Sequence, residues 1–244
     1  MEKLSADPKF TDIEENLKVI RNNIAEAAVK SGRQPSDIHF MAVTKTIQPV
    51  YINHAISCGI DLIGENRVQD FLEKAPDLNL EGASAHLIGH LQSNKAKKIV
   101  GKVDVIQSVD SLSIAREIAK HAKNAGIVQD VLCEINVGSE DSKFGFDPSE
   151  ALENVLGIAE VEGIRVRGLM CVAPIEDNKQ KLLKIFQNMH DIFIDISSKN
   201  IDNINMDILS MGMSGDYEEA ILSGANLVRV GSAIFGPRIY TDKH

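Results

Sequence analysis

Short runs rich in Val and Ile alternate along this chain with longer segments whose apolar residues recur at helical spacing, and the alternation repeats eight times. Strand candidates fall at 39–43, 61–63, 85–88, 103–107, 131–137, 165–170, 207–210 and 227–230. Helical segments occupy 48–58, 67–74, 93–100, 111–125, 148–161, 178–198 and 215–222. A further amphipathic helix, 11–30, precedes the first strand, with Ile13, Leu17, Ile20, Ile24 and Ala27 on one face and Gly32 and Pro35 at its end. Strands joined by helical crossovers must run parallel. Eight such units in about 200 residues suit a closed (β/α)8 barrel of the TIM type. An open doubly wound sheet is the rival, but no GxGxxG follows the first strand and no linker or low-complexity tract divides the chain. The expectation is one α/β domain, 1–244, in which an extra N-terminal helix, 1–35, packs on a barrel.

Composition narrows the function classes. With 244 residues, 43% of them hydrophobic and 25% charged, the chain can bury a large core. A net charge of -9 argues against nucleic-acid binding, which needs clustered Lys and Arg to neutralise phosphates. Cys58, Cys133 and Cys171 are odd in number and far apart, so neither a disulfide framework nor a zinc knuckle fits, and buried, reduced thiols are expected. The opening MEKLSADPKFTDIEENL lacks an apolar signal core, and no segment approaches the roughly 20 apolar residues that span a bilayer. A cytoplasmic location is expected.

In a barrel of this kind active groups sit at the carboxyl ends of strands, with a phosphate site in the loops after strands seven and eight. The strand ends carry Lys45, then Gly64-Glu65-Asn66, Gly89-His90, Ser108 with Asp110, Asn136 and Met170. SMGMSGDYEEA follows strand seven and VRVGSAIFGPR covers strand eight and its loop; both are Gly-rich and open a helix. Backbone N–H groups at helix starts are unsatisfied donors, which makes Ser214, Gly231 and Ser232 the expected phosphate cradle. The plain alternative is that Gly212, Gly215 and Gly231 only permit tight turns. The run G-M-S-G-D around Ser214 is no nucleophile elbow, because the final Gly of GxSxG is displaced.

Strand alternation puts Met41, Val43 and Lys45 on one face, so an inward Met41 carries Lys45 inward too. A lysine at a barrel mouth can form a Schiff base if burial or a nearby cation counters its reference pKa of about 10.4. It can equally snorkel to solvent or pair with Glu65. Arg229 alternates with Val228 and Val230, which aims a guanidinium into the interior below the phosphate loop. A buried charge needs compensation. Either a mouth carboxylate supplies it, or Arg229 faces the ring of a cofactor whose phosphate rests on Gly231 and whose aldehyde reaches Lys45.

The motifs AVTK around Lys45, GENRVQD from Gly64, HLIGHLQSNK from His86, SVDS from Ser108, EINVGSEDSKFGF from Glu134, GLMCVAP from Gly168, LSMGMSGDYEEAI from Leu209 and VRVGSAIFGPR from Val228 are together similar to those of the YggS/PROSC family. These are the pyridoxal phosphate homeostasis proteins, single-domain relatives of the alanine racemase N-terminal barrel, and the resemblance covers nearly the whole chain. It implies a barrel of fold type III that binds pyridoxal 5′-phosphate (PLP). In that resemblance Lys45 holds the cofactor as an aldimine, Ser214, Gly231 and Ser232 bind its phosphate, Arg229 faces the pyridine nitrogen, Asn66 lies beside the ring and His86 borders the mouth. One departure is Ala85, where the family often has an aromatic, commonly Trp; this chain has no Trp.

Alanine racemases add a β-domain and a second acid/base tyrosine across a dimer interface, and Tyr51, Tyr217 and Tyr240 include no obvious counterpart. An arginine opposite the pyridine nitrogen leaves it unprotonated and the cofactor a weaker electron sink. The expectation is therefore a monomeric PLP carrier without robust catalysis and without a metal, which buffers the cofactor inside the cell or delivers it to PLP-dependent apoenzymes. The alternatives are an amino-acid racemase of low activity and a Schiff-base aldolase that uses Lys45 without a cofactor.

Overall fold

The computed structural model describes residues 7–138 and 144–237. Tyr240, the ends of the expected 1–244 domain and the centre of the EINVGSEDSKFGF motif lie outside these residues. Eight parallel strands close into a barrel in chain order: β1 (His39–Val43), β2 (Leu62–Glu65), β3 (Ser84–Leu87), β4 (Val105–Val109), β5 (Gln129–Glu134), β6 (Ile164–Met170), β7 (Ile204–Ser210) and β8 (Leu227–Val230). The helices are α1 (Pro8–Lys30), α2 (Pro49–Ser57), α3 (Val68–Lys74), α4 (Ser93–Ile99), α5 (Leu112–Asn124), α6 (Ala151–Ala159), α7 (Lys179–Ser198), α8 (Tyr217–Leu222) and α9 (Ser232–Phe235). The closed barrel is the expected architecture, and β1 and β8 match their expected limits end to end.

Departures from the expected limits have local causes. β5 stops at Glu134 because Ile135 leaves the ladder to bridge Phe146. α1 starts at Pro8, three residues before its expected limit, because Asp7 caps it: its carboxylate accepts from the Lys9 N–H at 2.9 Å. Proline suits the first helical position, where its missing N–H costs nothing. α6 is preceded by a separate 3-10 turn, Pro148–Glu150.

The core has two layers. Strand residues pointing inward fill the barrel, with Met41, Leu62 and Leu227 in one cluster and Val105, Leu132 and Met170 in another. At the amino end of the strands a partly exposed ionic cluster follows: Arg165 and Arg167 both pair with Asp130, at 2.7 and 2.8 Å, and Arg167 also meets Asp207 at 2.8 Å. Outward strand residues meet the helices in a larger cluster that takes in Ile13, Leu17, Ile20 and Ile24 of α1. Each such side chain contributes about 1.5 to 3 kcal/mol on full burial, which explains why α1 is held on the barrel. It packs beside α2, α8 and α9. Asn16 donates to the Ile234 carbonyl at 3.0 Å, and Asn23 donates to the Tyr217 hydroxyl at 3.0 Å.

Gly168 of β6 lies opposite Ile208 of β7. Its φ is 143°, and a Cβ there would lie 1.9 Å from the Ile208 carbonyl oxygen. Backbone on both sides has no room to yield without breaking the ladder. Gly168→Ala is expected to destabilise the fold by about 3 kcal/mol or more, read as a shift of the denaturant midpoint at unchanged slope.

Candidate active site at the barrel mouth

β1 ends at Val43 and the chain turns at once. The Ile47 N–H donates to the Thr44 carbonyl at 3.0 Å, leaving Lys45 and Thr46 at the centre of the turn. Thr46 has a φ of 66°. A β-branched residue rarely enters the left-handed region, at a cost of about 1 to 3 kcal/mol. The strain is borne by a firm base. Buried Thr44 donates from its N–H to the Gly64 carbonyl at 2.9 Å and from its hydroxyl to Glu65 at 3.1 Å. Glu65 is itself paired with Lys74 at 2.7 Å, and the Lys74 ammonium also donates to the Thr44 carbonyl at 2.9 Å. The cation that pairs with Glu65 is thus Lys74, on α3, and Lys45 is presented from above this buried cluster.

Because the barrel closes between β1 and β8, Met41 lies opposite Arg229 in the ladder, and Lys45 comes to face the loop after β8. Val43, Lys45, Gly231 and Ser232 line one cavity of about 640 Å³, a size typical of small-ligand sites. The start of α1 and Tyr51 of α2 complete its wall. Gly231 presses against β1, where a Cβ would stand 3.2 Å from Val43 Cβ and 3.3 Å from its carbonyl oxygen. The Ser214 hydroxyl accepts from the N–H of Gly231 at 3.1 Å and of Ala233 at 3.5 Å. Ser214 therefore braces the loop from behind, while Ser232 is exposed in the cavity wall.

Below the mouth, four buried polar side chains form a directed chain of hydrogen bonds. Arg229 donates to the Ser210 hydroxyl at 2.7 Å, Ser210 donates to the Gln107 carbonyl oxygen at 2.7 Å, and the Gln107 amide meets His86 Nδ1 at 2.8 Å. The second Arg229 terminal nitrogen donates to the Cys171 carbonyl at 2.8 Å. With the Gln107 carbonyl occupied by Ser210, its NH₂ must donate to His86, so that ring is neutral with its proton on Nε2. Burial agrees, holding the His86 pKa down at about 4. Among the described residues no carboxylate forms an ion pair with Arg229; a hydroxyl and a carbonyl take that place. Glu134 is close enough for Arg229 to lower its pKa, but burial and the charge of Asp110 prevail and push it up to about 7.

The residues expected at the site thus fall into three groups. Lys45, Gly231 and Ser232 share the cavity, with Ser214 behind it. Arg229 and His86 are joined through Ser210 and Gln107 inside the barrel. Asn66 faces a smaller depression, of about 260 Å³, beside Arg67, His90 and Lys95. Its Oδ1 is buried without a hydrogen-bond partner among the described residues, a rare condition for a buried polar atom. Sequence reading missed Gln107, Ser210 and Lys74. The first two were open to strand alternation, since Gln107 follows Val105 at period two and Ser210 follows Ile208. Tyr51, in sequence no obvious counterpart of a catalytic tyrosine, lines the cavity, its hydroxyl donating to Asp7 at 2.6 Å.

Two buried groups give pH dependences of opposite sign. His86 takes up a proton at about 4 in the fold but near 6.5 when unfolded, so its contribution to stability is whole above 6.5 and is lost as pH falls to 4. Glu134 holds its proton up to about 7 in the fold but only to about 4.5 when unfolded, so its contribution is whole below 4.5 and is lost as pH rises through 7. In urea unfolding at stepped pH, His86→Gln is expected to lose less stability than the wild type on acidification. Glu134→Gln is expected to lose less on the alkaline side.

The alanine racemase N-terminal domain family matches residues 16–239 of the chain. The pyridoxal phosphate homeostasis protein of Aquifex aeolicus (strain VF5) is 38% identical over 229 residues, which cover 93% of this chain and 98% of that protein. The protein of the same name from Escherichia coli (strain K12) is 35% identical over 237 residues, 96% of this chain and all 100% of that one. Among solved structures, PipY of Synechococcus elongatus PCC7942 with PLP bound superposes with a TM-score of 0.79 at 29% identity, covering 92% of this chain and 100% of that chain. The chain belongs to the alanine racemase N-terminal domain family and, within it, to the pyridoxal phosphate homeostasis proteins.

Proposed function

We propose that this protein binds PLP reversibly through Lys45 and serves intracellular PLP homeostasis, buffering the cofactor or delivering it to apoenzymes. The observation that carries the reading is the meeting of Lys45 and Ser232 in one cavity at the closure of the barrel. Relatives of the same family carry that role in their names, and PipY binds PLP. The residues fit the cofactor. A primary amine and a serine line a cavity of suitable size, and backbone of the Gly231-Ser232 loop lies in the same wall. When bound, PLP would supply an aldehyde carbon that a neutral lysine amine can add to reversibly.

The chain's own residues favour holding over turnover. Thr44, Glu65 and Lys74 fix the base of the turn that presents Lys45. Ser232 would take a phosphate oxygen and Ser214 would keep the loop in place. Arg229, pinned by Ser210 and Cys171, can donate a hydrogen bond to a ring nitrogen but leaves it unprotonated, which weakens electron withdrawal. Tyr51 has committed its proton to Asp7, and that hydrogen bond raises its pKa. The presence of Tyr51 in the wall is nevertheless what favours the second reading, a racemase of low activity. A racemase would exchange the α-proton of an amino acid in heavy water and lose that exchange in Tyr51→Phe. An aldolase would trap a carbonyl substrate and carry no chromophore.

The purified protein is expected to absorb in the near-visible, and borohydride is expected to fix the cofactor on the peptide containing Lys45. Lys45→Ala should abolish both signals; labelling at another lysine would sink the assignment. Ser232→Ala is expected to weaken cofactor retention by about 1 to 3 kcal/mol, measured by equilibrium dialysis. Unchanged retention would remove Ser232 from the cradle.

A further inference from the structure

On the outer face of the molecule, where α1 crosses α2, Glu14, His54 and Cys58 converge. One ligand atom from each lies within 4.8 Å of the other two. His54 Nε2 stands 3.1 Å from Glu14 Oε1 and 3.7 Å from Cys58 Sγ. Tetrahedral zinc, with bonds of about 2.0 to 2.2 Å to nitrogen or oxygen and about 2.3 Å to sulfur, sets its ligand atoms about 3.3 to 3.6 Å apart. The two separations bracket that range. The remaining one can close by rotation of Glu14, whose side chain is exposed.

We propose that Glu14, His54 and Cys58 form a binding site for a zinc-class divalent cation, with water as the fourth ligand. The donor set matches that class: a thiolate and an imidazole select against magnesium and calcium, which take oxygen ligands. Charge balances as well, because a thiolate and a carboxylate neutralise the dication while the imidazole stays neutral. On binding, the Cys58 thiol gives its proton to solvent as the sulfur–metal bond forms, and no redox change is involved. Cys58 is the cysteine suited to this: Cys133 and Cys171 are buried as expected, but Cys58, at the exposed end of α2, is only half-buried.

The frame around the three ligands is built before any metal arrives. His54 and Cys58 are four residues apart on one helical face, and the Cys58 N–H donates to the His54 carbonyl at 3.0 Å. Arg21 of α1 donates to the Cys58 carbonyl at 2.8 Å, tying the end of α2 to α1. Phe10 sets its ring edge-on to His54, with centroids 4.6 Å apart. The helices carrying the ligands are locked by buried Ile13, Leu17, Ile52 and Ala55. Phe10 also packs on Tyr51, with centroids 5.4 Å apart, so a cation here would brace the wall of the cavity that Tyr51 lines. The site itself does not depend on what that cavity binds.

The test uses the full chain as isolated, untagged and kept in a thiol-free reductant. Dialysis against Zn²⁺ is expected to leave about one equivalent per chain, and Co²⁺ to give the visible bands of a tetrahedral site. Cys58→Ser and His54→Gln should each weaken Zn²⁺ binding by at least about tenfold, and Zn²⁺ should raise the melting temperature of the wild type but of neither variant. The proposal is overturned by the absence of saturable Zn²⁺ binding, or by the same affinity in wild type, Cys58→Ser and His54→Gln.

Discussion

A guanidinium buried inside the barrel sets the terms for everything above it. Arg229 lies on β8 with its side chain removed from water, and burial alone lowers its pKa. Such a charge is tolerable only if its donors are satisfied. Here a hydroxyl and a backbone carbonyl take two of its five N–H donors, and the hydroxyl passes the polarity on to Gln107 and then to His86. Each link constrains the next: Ser210 must turn its proton toward Gln107, Gln107 must turn its amide toward His86, and His86 must stay neutral. A hydrogen-bond chain with one direction is rigid in a way that an apolar core is not. It gives the floor of the mouth a fixed charge and fixed donors.

Closure of the barrel then decides what meets at the mouth. β1 and β8 are the first and last strands, and they become neighbours because the sheet closes on itself. The lysine that follows one and the glycine-serine pair that follows the other consequently share a cavity. The strained Thr46 turn fits this account. Its cost is sustained by the buried Thr44, Glu65 and Lys74 cluster beneath, which leaves the preceding lysine no freedom to follow the strand outward. α1 supplies the remaining wall, and its Asn16 holds the carbonyl of Ile234, two residues after Ser232. An added N-terminal helix therefore belongs to the site as well as to the core.

Much of the fold was legible because its signals are local. Period-two strands, helical spacing and the punctuation of Gly and Pro recur often enough to count eight units, and β1 and β8 carry their full limits in their apolar runs. The start of α1 was placed too late, at 11, because the apolar spacing begins inside the helix and the Asp7 cap before Pro8 went unread. Other limits were not legible, since β5 ends where Ile135 finds Phe146, a partner that only the folded loop brings near. At the site, Lys45 and the two glycine-rich loops were visible as strand-end residues. The pairing of Glu65 with Lys74, the support of Arg229 by Ser210 and Cys171, and the approach of Tyr51 to the cavity were not.

The sequence by itself determined that eight parallel strands must alternate with helices, that a lysine would stand at the end of the first strand, and that an arginine would point inward from the last. These follow from periodicity, which acts over a few residues. Only the tertiary structure decided which groups meet the buried guanidinium, which cation pairs with Glu65, and that Glu14 on α1 meets His54 of α2 and Cys58 at its end. Those are matters of distance between residues far apart in the chain, fixed when closure and helix packing choose one register out of many.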